Sequence, residues 1–412
     1  MSTHIHQELT RCLQCKTPFC EQGCPVGTPI KEAIHLARNN RLFEAGELLF
    51  NNNPLSIITG LVCPHEDFCE GHCILGKKQS PIDIGSIEYY ISEYYLNQIS
   101  FTPAEKLNQK IAIVGSGPAG LTVAIILARK GYDITIFESH DKIGGVLRFG
   151  IPEFRLPKQI IDRYQELLYQ MGVKIRPNTL IGPVLTIQEL FRDGYAAVFI
   201  ATGTLKPKKL DVTGESLGHV FYAIDYLRNP GNHALGRRLV IIGGGNVAID
   251  AARTALRSGT QEVTIYYRRS EEDLPSSQHE ITYAKMDGVK FAFNYTPKKI
   301  EDTCVAFVKT RATAQGQIEE IPGTEICVEA DSVIISISQG PQKNIVNSIK
   351  SMKQIKLDRF GLIVIDETGK TTLDGVFASG DVVTGAKTVV EAVANAKIAA
   401  ETIHQYVQSQ GK

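Results

Sequence analysis

Cysteine is concentrated at the start of the chain. Seven of the nine cysteines fall within the first 73 of 412 residues. Clustered thiols without a secretory signal favour metal ligands over disulfides, because a reducing compartment keeps thiols free. The first run ends in Cys-Pro. In two-cluster ferredoxins, the cysteine of such a Cys-Pro step binds a different cluster from the cysteines that precede it. The two runs are Cys12, Cys15, Cys20 and Cys24, then Cys63, Cys69 and Cys73.

One unit of strand, glycine turn, helix and strand occurs twice after residue 109. The first copy begins at Lys110 and the second at Arg238, and a glycine ends each helix, at Gly131 and Gly259. This is the length and order of a mononucleotide-binding half. A single glycine fingerprint is a weak signal, whereas two in matching context predict two dinucleotide sites.

The first copy has the spacing G-x-G-x-x-G and an acid at the end of its second strand. The glycines allow a tight turn, a close approach of the backbone to a pyrophosphate, and close packing of the helix. Glu138 can accept hydrogen bonds from ribose hydroxyls and would repel a 2′-phosphate, so FAD or NAD is favoured. The alternative is a tight turn without a ligand. The candidate residues are Gly115, Gly117, Pro118, Ala119, Gly120 and Glu138.

The second copy ends in two arginines instead of an acid. Guanidinium groups suit a phosphate dianion, which favours NADPH over NADH at this site. The alternative is a pair of solvated arginines facing the acids Glu271, Glu272 and Asp273. The candidate residues are Gly243, Gly244, Gly245, Asn246, Val247, Arg268 and Arg269.

Near the C-terminus the segment Val376–Asp381 is a short apolar strand that runs into a Gly-Asp turn. The segment from Thr388 then starts a helix whose N-terminal amides can face the electron-accepting edge of a flavin. This predicts that one dinucleotide site holds FAD and the other an exchanging nicotinamide. The FAD candidates here are Gly380, Asp381, Thr388 and Val389.

A flavin also bears on the metal. An iron–sulfur centre accepts electrons singly, whereas zinc has no redox role beside a flavin. Cys12, Cys15 and Cys20 are expected at one centre, and Cys24, Cys63, Cys69 and Cys73 at the other. Structural zinc, completed by His65 or His72, is the alternative. Cys304 and Cys327 are expected to be small buried hydrophobic residues, and they cannot supply the C-x-x-C pair of a thioredoxin-reductase-type enzyme.

Composition narrows the function. Lys+Arg and Asp+Glu both total 44, so no global basic field attracts nucleic acid or an anionic membrane. The N-terminus does not look like a signal peptide, and no apolar run is long enough to span a membrane. A cytoplasmic protein is therefore expected. No Ser/His/Asp or Cys/His nucleophile constellation is apparent, so no catalytic side chain is proposed for hydride transfer.

We expect an α/β protein: an N-terminal α-helical iron–sulfur domain followed by two Rossmann-like nucleotide-binding domains, with the FAD domain interrupted by the NADPH domain. The predicted boundaries are 1–107 for the iron–sulfur domain, 108–232 and 336–412 for the FAD domain, and 233–335 for the NADPH domain.

At these residues the chain resembles the small subunit of bacterial glutamate synthase. Relatives include the NAD(P)H-oxidising part of dihydropyrimidine dehydrogenase and an NADPH-dependent ferredoxin reductase subunit. The similarity covers nearly the whole chain, and its motifs occur in the same order: RCLQCKTPFCEQGCPV, LVCPHEDFCEGHC, SPIDIGSIE, VGSGPAGL, GGVLRFGIPEFRLPK, IGGGNVAIDAARTALRSG, YYRRSEEDLP and FASGDVVTGAKTVVEAVA.

The resemblance implies two 4Fe–4S clusters, FAD and NADPH. Seven cysteines are one short of two four-cysteine sites, and the resemblance implies that Glu88 fills the remaining position, at the cluster of the first three cysteines. It places Gly145 and Arg155 at the flavin. Ser338 and Ala396 stand where relatives commonly have glycine, and because both are small, little loss of binding is expected.

The expected function is hydride transfer from NADPH to FAD, then release of single electrons through the clusters to a partner. A glutamate synthase large subunit is the first candidate partner. A dihydropyrimidine dehydrogenase catalytic subunit or ferredoxin is the alternative. A redox sensor that binds the same cofactors without turnover is the non-enzyme alternative.

Overall fold

The computed structural model describes residues 2–313, 315–342 and 355–410. The chain separates into two compact units. The first contains residues 1–147, 153–204 and 340–412, and the second contains residues 148–152 and 205–339. The chain therefore enters the second unit twice, briefly at 148–152 and again at 205–339, and each time returns to the first. Part of the segment predicted for 336–412 lies outside the described residues.

The first hundred residues are helical, as expected. Ser2 caps the first helix through the backbone nitrogen of Ile5, and Asp83 caps the last through that of Ser86 at 3.0 Å. Apolar side chains at helical spacing, such as Ile34 and Leu49, form their shared core. The helices are Thr3–Arg11, Phe19–Gln22, Ile30–Arg38, Leu42–Asn52, Ser56–Val62 and Ile84–Leu96, with a 3-10 turn at Ile74–Lys77.

A five-stranded parallel sheet forms the centre of the first unit. All of its strands except the edge strand Lys174–Arg176 are largely apolar, because both of their faces are buried. The predicted strand after the first glycine turn and the predicted C-terminal strand both belong to this sheet. In order, the strands are Val376–Ala378, Tyr195–Ile200, Lys110–Val114, Asp133–Phe137 and Lys174–Arg176.

A second five-stranded parallel sheet belongs to the second unit. Its strand Val220–Tyr222 precedes the predicted start of the NADPH domain at residue 233, and lies in this sheet rather than the first. In order, the strands are Val220–Tyr222, Ser332–Ile335, Arg238–Ile242, Glu262–Tyr267 and Lys290–Phe293.

An antiparallel sheet covers part of the second unit. Val305 and Phe307 on its inner face are fully buried against the parallel sheet. Its outer face carries Cys304 and Cys327, which are joined by a disulfide. The expectation of two buried hydrophobic residues was wrong, because strand pairing brings them together and Cys327 lies exposed. The strands are Tyr295–Ile300, Cys304–Ala312, Ile318–Glu320 and Ile326–Glu329.

The remaining helices lie between the strands or follow the last one. No helix in the described part of the chain combines the length and apolarity needed to cross a membrane. The bounds are Pro118–Arg129, Val146–Phe149, Lys158–Gln170, Ile187–Arg192, Ala223–Arg228, Asn246–Arg257, Gln278–Asp287, Asp381–Thr384 and Val389–Gln410, with a 3-10 turn at Pro230–Asn232 and two-residue strands at Lys206–Pro207 and Gln339–Gly340.

Candidate functional site

Four thiols surround one hollow of the helical domain, which we call the outer hollow. They come from the first cysteine run and from the end of the second: Cys12, Cys15, Cys20 and Cys73. Burial raises the pKa of the Cys20 thiol to about 12, and the neighbouring sulfurs of Cys73 and Cys12 add to the rise. Thiols in this setting become thiolates only when a cation accompanies them.

Three thiols and one carboxyl surround a second hollow, which we call the inner hollow: Cys24, Cys63, Cys69 and Glu88. Burial raises the pKa of Cys63 and Cys69 well above the ordinary thiol value, and the nearby Glu88 carboxyl raises both further. Burial also raises the pKa of Glu88 itself to about 8, against the hydrogen bond donated by Thr59 at 3.1 Å. Three thiols and one carboxyl around the same hollow fit a metal centre.

This grouping corrects the sequence prediction at two positions. Cys73 lies with the first three cysteines and not with Cys24, and Glu88 lies at the other hollow. The prediction applied the ferredoxin rule to the first run only. The structure shows that both Cys-x3-Cys pairs, Cys20 with Cys24 and Cys69 with Cys73, divide between the two hollows.

The spacing of the sulfurs bears on the choice of metal. A single tetrahedral zinc holds its sulfurs about 2.3 Å from the metal, and therefore within about 4 Å of one another. Within the described ranges, Glu301, Cys304 and Cys327 are the one group of potential ligands whose donor atoms all lie within 4.8 Å of one another. Among the described residues, no three of the hollow thiols meet this limit, so they do not form the compact set that one zinc ion needs. His65 also lines the inner hollow, whereas His72 lines neither.

The first glycine turn has the geometry that its spacing predicts. Gly115 has φ +99°, and a Cβ on Gly120 would lie 2.1 Å from the Gly115 carbonyl oxygen. Gly117 is open, with nothing within 4 Å of the position a Cβ would take, and Pro118 opens the helix. The turn therefore presents bare backbone at a helix N-terminus, which is where a pyrophosphate binds.

Glu138 lies at the end of the adjacent strand and is only 4% exposed. Its carboxylate accepts hydrogen bonds from the backbone nitrogens of Ser116 at 3.0 Å and His140 at 2.9 Å. Burial alone would raise its pKa, but the hydrogen bonds from His140 and Ser116 outweigh burial and hold the pKa below the ordinary value. The carboxylate is thus charged and fixed. Sequence reasoning did not single out Ser116, because it occupies a variable position of the fingerprint.

Two further predicted residues lie beyond this strand. Gly145 has φ +52°, and a Cβ there would lie 2.8 Å from the Gly117 Cα, so Gly145 adjoins the turn. Arg155 is half-buried in the loop that precedes the helix starting at Lys158.

The C-terminal strand ends beside the same turn. A Cβ on Gly380 would lie 3.1 Å from the Ala119 Cβ. Before it, the Ser379 hydroxyl is buried without a hydrogen-bond partner among the described residues. Burial raises the pKa of Asp381 to about 6, although the backbone nitrogen of Lys387 donates to it at 3.3 Å. The Asp381 carboxylate fits a hydroxyl of a dinucleotide, and the Ser379 hydroxyl fits a hydroxyl or a phosphate. Sequence reasoning missed Ser379.

The C-terminal helix joins this site to the metal-binding domain. Thr388 caps it through the backbone nitrogen of Glu391, and the helix runs Val389–Gln410. Val390, in its first turn, lines the inner hollow. Further along, the Lys397 ammonium donates to the Asn52 side chain at 2.8 Å. Sequence reasoning identified the helix but gave no signal for its contact with the cysteines.

The second glycine turn repeats the geometry in the second unit. Gly243 has φ +136°, and Asn246 opens the helix with its side-chain oxygen accepting from the backbone nitrogen of Ser277 at 3.2 Å. Gly244 contacts the Tyr267 ring closely enough to exclude a Cβ, and Val247 packs against the core of this unit.

Arg268 and Arg269 do not pair with the neighbouring acids in the described part of the chain. Neither forms an ion pair within the described residues, since Glu271 pairs with Lys285 and Asp273 accepts from Ser270. Arg268 is exposed, and Arg269 donates to the Gly316 carbonyl at 3.0 Å. The alternative, in which the two arginines pair with the neighbouring acids, is therefore not what the structure shows.

Fold and site together define a class of protein: an oxidoreductase with two dinucleotide-binding units and an N-terminal cysteine-rich domain. Comparison with known families agrees. Residues 83–186 and 109–396 match the family described as pyridine nucleotide-disulphide oxidoreductase. Residues 1–99 match the family described as dihydropyrimidine dehydrogenase domain II, 4Fe-4S cluster.

Two relatives that match over almost their whole length show to which family within this class the chain belongs. The glutamate synthase (NADPH) small chain of Azospirillum brasilense is 34% identical over 436 residues, covering 99% of this chain and 90% of the relative. The NAD-dependent dihydropyrimidine dehydrogenase subunit PreT of Escherichia coli is 32% identical over 409 residues, covering 98% of this chain and 94% of the relative. The chain belongs to the family of NAD(P)H-dependent flavin and iron–sulfur oxidoreductases that contains these subunits.

The fold agrees with solved structures as well. FprA of Mycobacterium tuberculosis, solved in complex with NADPH, has a TM-score of 0.60 at 18% identity, covering 74% of this chain and 85% of that chain.

Proposed function

We propose that this chain is the electron-entry subunit of a larger enzyme. It would take hydride from NADPH and pass single electrons through two 4Fe–4S clusters to a catalytic partner in the cytoplasm. The observation that carries the proposal is the position of Val390. This residue belongs to the helix that follows the candidate flavin turn, and it also lines the inner hollow.

The first glycine turn and the C-terminal turn would hold FAD. The open backbone at Gly117 would receive the pyrophosphate, and Glu138 would accept the adenosine ribose hydroxyls in place of the side-chain donors Ser139 and His140. Asp381 and the unpartnered Ser379 hydroxyl would bind the ribityl side of the cofactor. The remaining FAD candidates are Gly115, Pro118, Ala119, Gly120, Gly145, Arg155, Gly380, Thr388 and Val389.

The second glycine turn would hold NADPH, with Arg268 and Arg269 on the 2′-phosphate. Their lack of ion pairs within the described residues leaves both charges for a ligand. The backbone of Gly243, Gly244, Gly245, Asn246 and Val247 would face the pyrophosphate. Bound FAD would supply the hydride acceptor and the change from two-electron to one-electron transfer, so the protein needs no acid or base for the hydride step.

The two hollows would each hold one 4Fe–4S cluster, the inner one completed by the Glu88 carboxylate. Because Val390 belongs to the helix after the candidate flavin turn and also lines the inner hollow, the cluster in the inner hollow would receive electrons from the flavin first. The outer hollow is rimmed by exposed apolar side chains: Leu13, Phe19 and Ile74 are 61%, 48% and 40% exposed. An exposed apolar rim beside a redox centre suits the docking of a partner.

The relatives suggest the partner. A glutamate synthase large subunit is favoured, because several glutamate synthase small chains match at 34–36% identity over almost the whole chain. A dihydropyrimidine dehydrogenase catalytic subunit is the alternative, supported by the PreT match. Mixing the purified chain with each catalytic subunit, and measuring NADPH-driven turnover of glutamine plus 2-oxoglutarate or of a pyrimidine, separates the two.

The metal assignment has its own test. Cys20→Ser and Cys73→Ser should alter the same electron paramagnetic resonance signal of the reduced protein, because both residues line the outer hollow. Cys24→Ser and Cys69→Ser should alter a second signal. If Cys73→Ser and Cys24→Ser alter one shared signal, the grouping is wrong.

The enzyme and sensor functions also differ in a direct measurement. Anaerobically purified protein with FAD, iron and acid-labile sulfide should reduce a viologen continuously with NADPH. A stoichiometric burst without turnover would instead support a redox sensor.

A further inference from the structure

The disulfide of the second unit is not used by the proposed electron path. Cys304 and Cys327 lie diagonally across two antiparallel strands, in which Cys304 pairs with Glu329 and Cys327 with Ala306. Their Cα atoms are 5.9 Å apart, within the range that a disulfide spans without backbone movement. The opposite face of the same strands is buried in the core, so both sulfurs lie on the outer face.

The two sulfurs differ in access. Cys327 is exposed and Cys304 is half-buried. The Cys304 sulfur lies 3.8 Å from a carboxylate oxygen of Glu301, and that carboxylate is also paired with Lys299 at 2.8 Å. An external reagent therefore meets Cys327 first, and Cys304 is positioned to complete the exchange.

The chain otherwise depends on reduced thiols. Seven cysteines lie free around the two hollows, and metal binding requires them as thiolates. The conditions that keep these seven reduced also favour the dithiol form of an exposed pair. The bond between Cys304 and Cys327 therefore forms when conditions become oxidising.

The position of the pair separates it from the nicotinamide site. Glu329 forms an ion pair with Arg238, the first residue of its strand, and the Asp331 carboxylate accepts from the Arg238 backbone nitrogen at 2.8 Å. The glycine turn follows the other end of that strand, after Ile242. The pair lies at the amino end of the sheet, opposite the turn that faces the cofactor.

We infer that Cys304 and Cys327 form a reversible dithiol–disulfide site that exchanges with low-molecular-weight thiols and disulfides. The Cys327 thiolate attacks the S–S bond of the external disulfide, which forms a mixed disulfide and releases one thiol. The Cys304 thiolate then attacks the Cys327 sulfur, which forms the Cys304–Cys327 bond and releases the second thiol. The protein loses two electrons and two protons, and the external disulfide becomes two thiols.

Oxidation has a structural consequence. The bond closes a loop with a sequence separation of 23 residues and fixes Ile326–Glu329, a short exposed strand, to its neighbour. Closing such a loop removes freedom from the opened state. The oxidised protein should therefore resist protease cleavage between the two cysteines more than the reduced protein.

The experiment uses the anaerobically purified holoprotein in a series of reduced-to-oxidised glutathione ratios, followed by alkylation of free thiols and peptide mass spectrometry. We expect one two-electron transition at Cys304 and Cys327, reversed by excess thiol and accompanied by protease protection. NADPH alone should not reverse it. Cys304→Ser and Cys327→Ser should each abolish the transition, and Thr303→Ser, a neighbouring exposed control, should retain it. NADPH-dependent viologen reduction should be the same in all variants.

Four results would overturn the inference. The pair could stay reduced at every ratio, or glutathione could remain attached to Cys327 without transfer to Cys304. NADPH alone could reduce the bond, which would make it part of the electron path. The reduced pair could instead bind one zinc ion with Glu301 and stop exchanging, which would make it a metal site.

Discussion

The two glycine turns share one backbone design but differ in what stands at the end of the second strand. In the first unit Glu138 is 4% exposed and fixed by backbone and side-chain donors. In the second unit Arg268 is exposed and forms no ion pair in the described part of the chain. A buried, preorganised group suits a cofactor that stays bound. An exposed, adaptable group suits one that exchanges at every turnover.

The largest effect is expected from removing the buried group. Glu138→Ala deletes charged hydrogen-bond acceptors, each contributing about 1.5–3 kcal/mol, and also releases Ser116 in the turn. We expect FAD affinity to fall by about 100-fold or more, measured by flavin retention and fluorescence titration of the deflavinated protein.

The exposed acid Asp193, changed to Asn, is the control and should retain FAD fully. Normal flavin content in Glu138→Ala would remove the basis for calling the first site the resident one.

Removing the exposed arginines of the second unit should have a smaller effect, and one that is selective for NADPH. In Arg268→Ala/Arg269→Ala, KM for NADPH should rise by roughly 10- to 100-fold, because one or two charge-assisted phosphate contacts are lost. KM for NADH should change little, since NADH has no 2′-phosphate. Arg311→Ala, an exposed arginine paired with Glu319 in the same unit, is the control. Equal losses for both nucleotides would show that the arginines do not read the phosphate.

The pH dependence of FAD binding tests the other end of the first site. Burial raises the pKa of Asp381 to about 6, so between the ordinary aspartate value and pH 6 the carboxyl is protonated in the cofactor-free protein. Because the pKa of Asp381 is higher in the folded than in the unfolded protein, the protonated carboxyl stabilises the fold at low pH, and this stabilisation is lost as pH rises through 6. If FAD hydroxyls bind the carboxylate, affinity should increase by about tenfold between pH 5 and pH 7. Asp381→Asn should flatten this dependence, and an unchanged slope would exclude the contact.

The smallest effect concerns the residue that follows a sheet strand in each unit. Gly203 has φ +64° three residues after the strand Tyr195–Ile200, whereas the residue three positions after the corresponding strand Ser332–Ile335 of the second unit is Ser338, with φ +116°. A non-glycine residue there is strained by about 1 kcal/mol or more. Ser338→Gly should raise the thermal midpoint of unfolding by a few degrees, and Ser338→Ala should not. No difference between the two would mean that the strain is relieved elsewhere.

The nucleotide-binding units could be predicted closely because their signals are local. A glycine turn needs particular φ values, and the helix and strands that follow it are fixed by spacing over about thirty residues. The structure places the first helix at Pro118–Arg129 and the second at Asn246–Arg257, as the pattern indicated. Ser379 carries no such signal, because only the folded sheet shows that its hydroxyl is buried without a partner.

The cysteines show what could not be predicted from the sequence. Their residue types and spacing predict metal ligands, but which thiols share a hollow depends on how two distant loops meet. The repeated x3 spacing at Cys20–Cys24 and Cys69–Cys73 was the available clue. Cys304 and Cys327 gave none, since strand register, and not sequence separation, brings them together.

The division of each Cys-x3-Cys pair between two hollows has a consequence for maturation. If each hollow holds a cluster as proposed, a loop ordered by the cluster in one hollow carries a ligand for the other, so insertion of the first cluster preorganises the site of the second. Loading of iron and sulfide should therefore be cooperative, with few half-filled molecules in a preparation. Damage to either centre should likewise spread to its neighbour and leave the helical domain empty rather than half active.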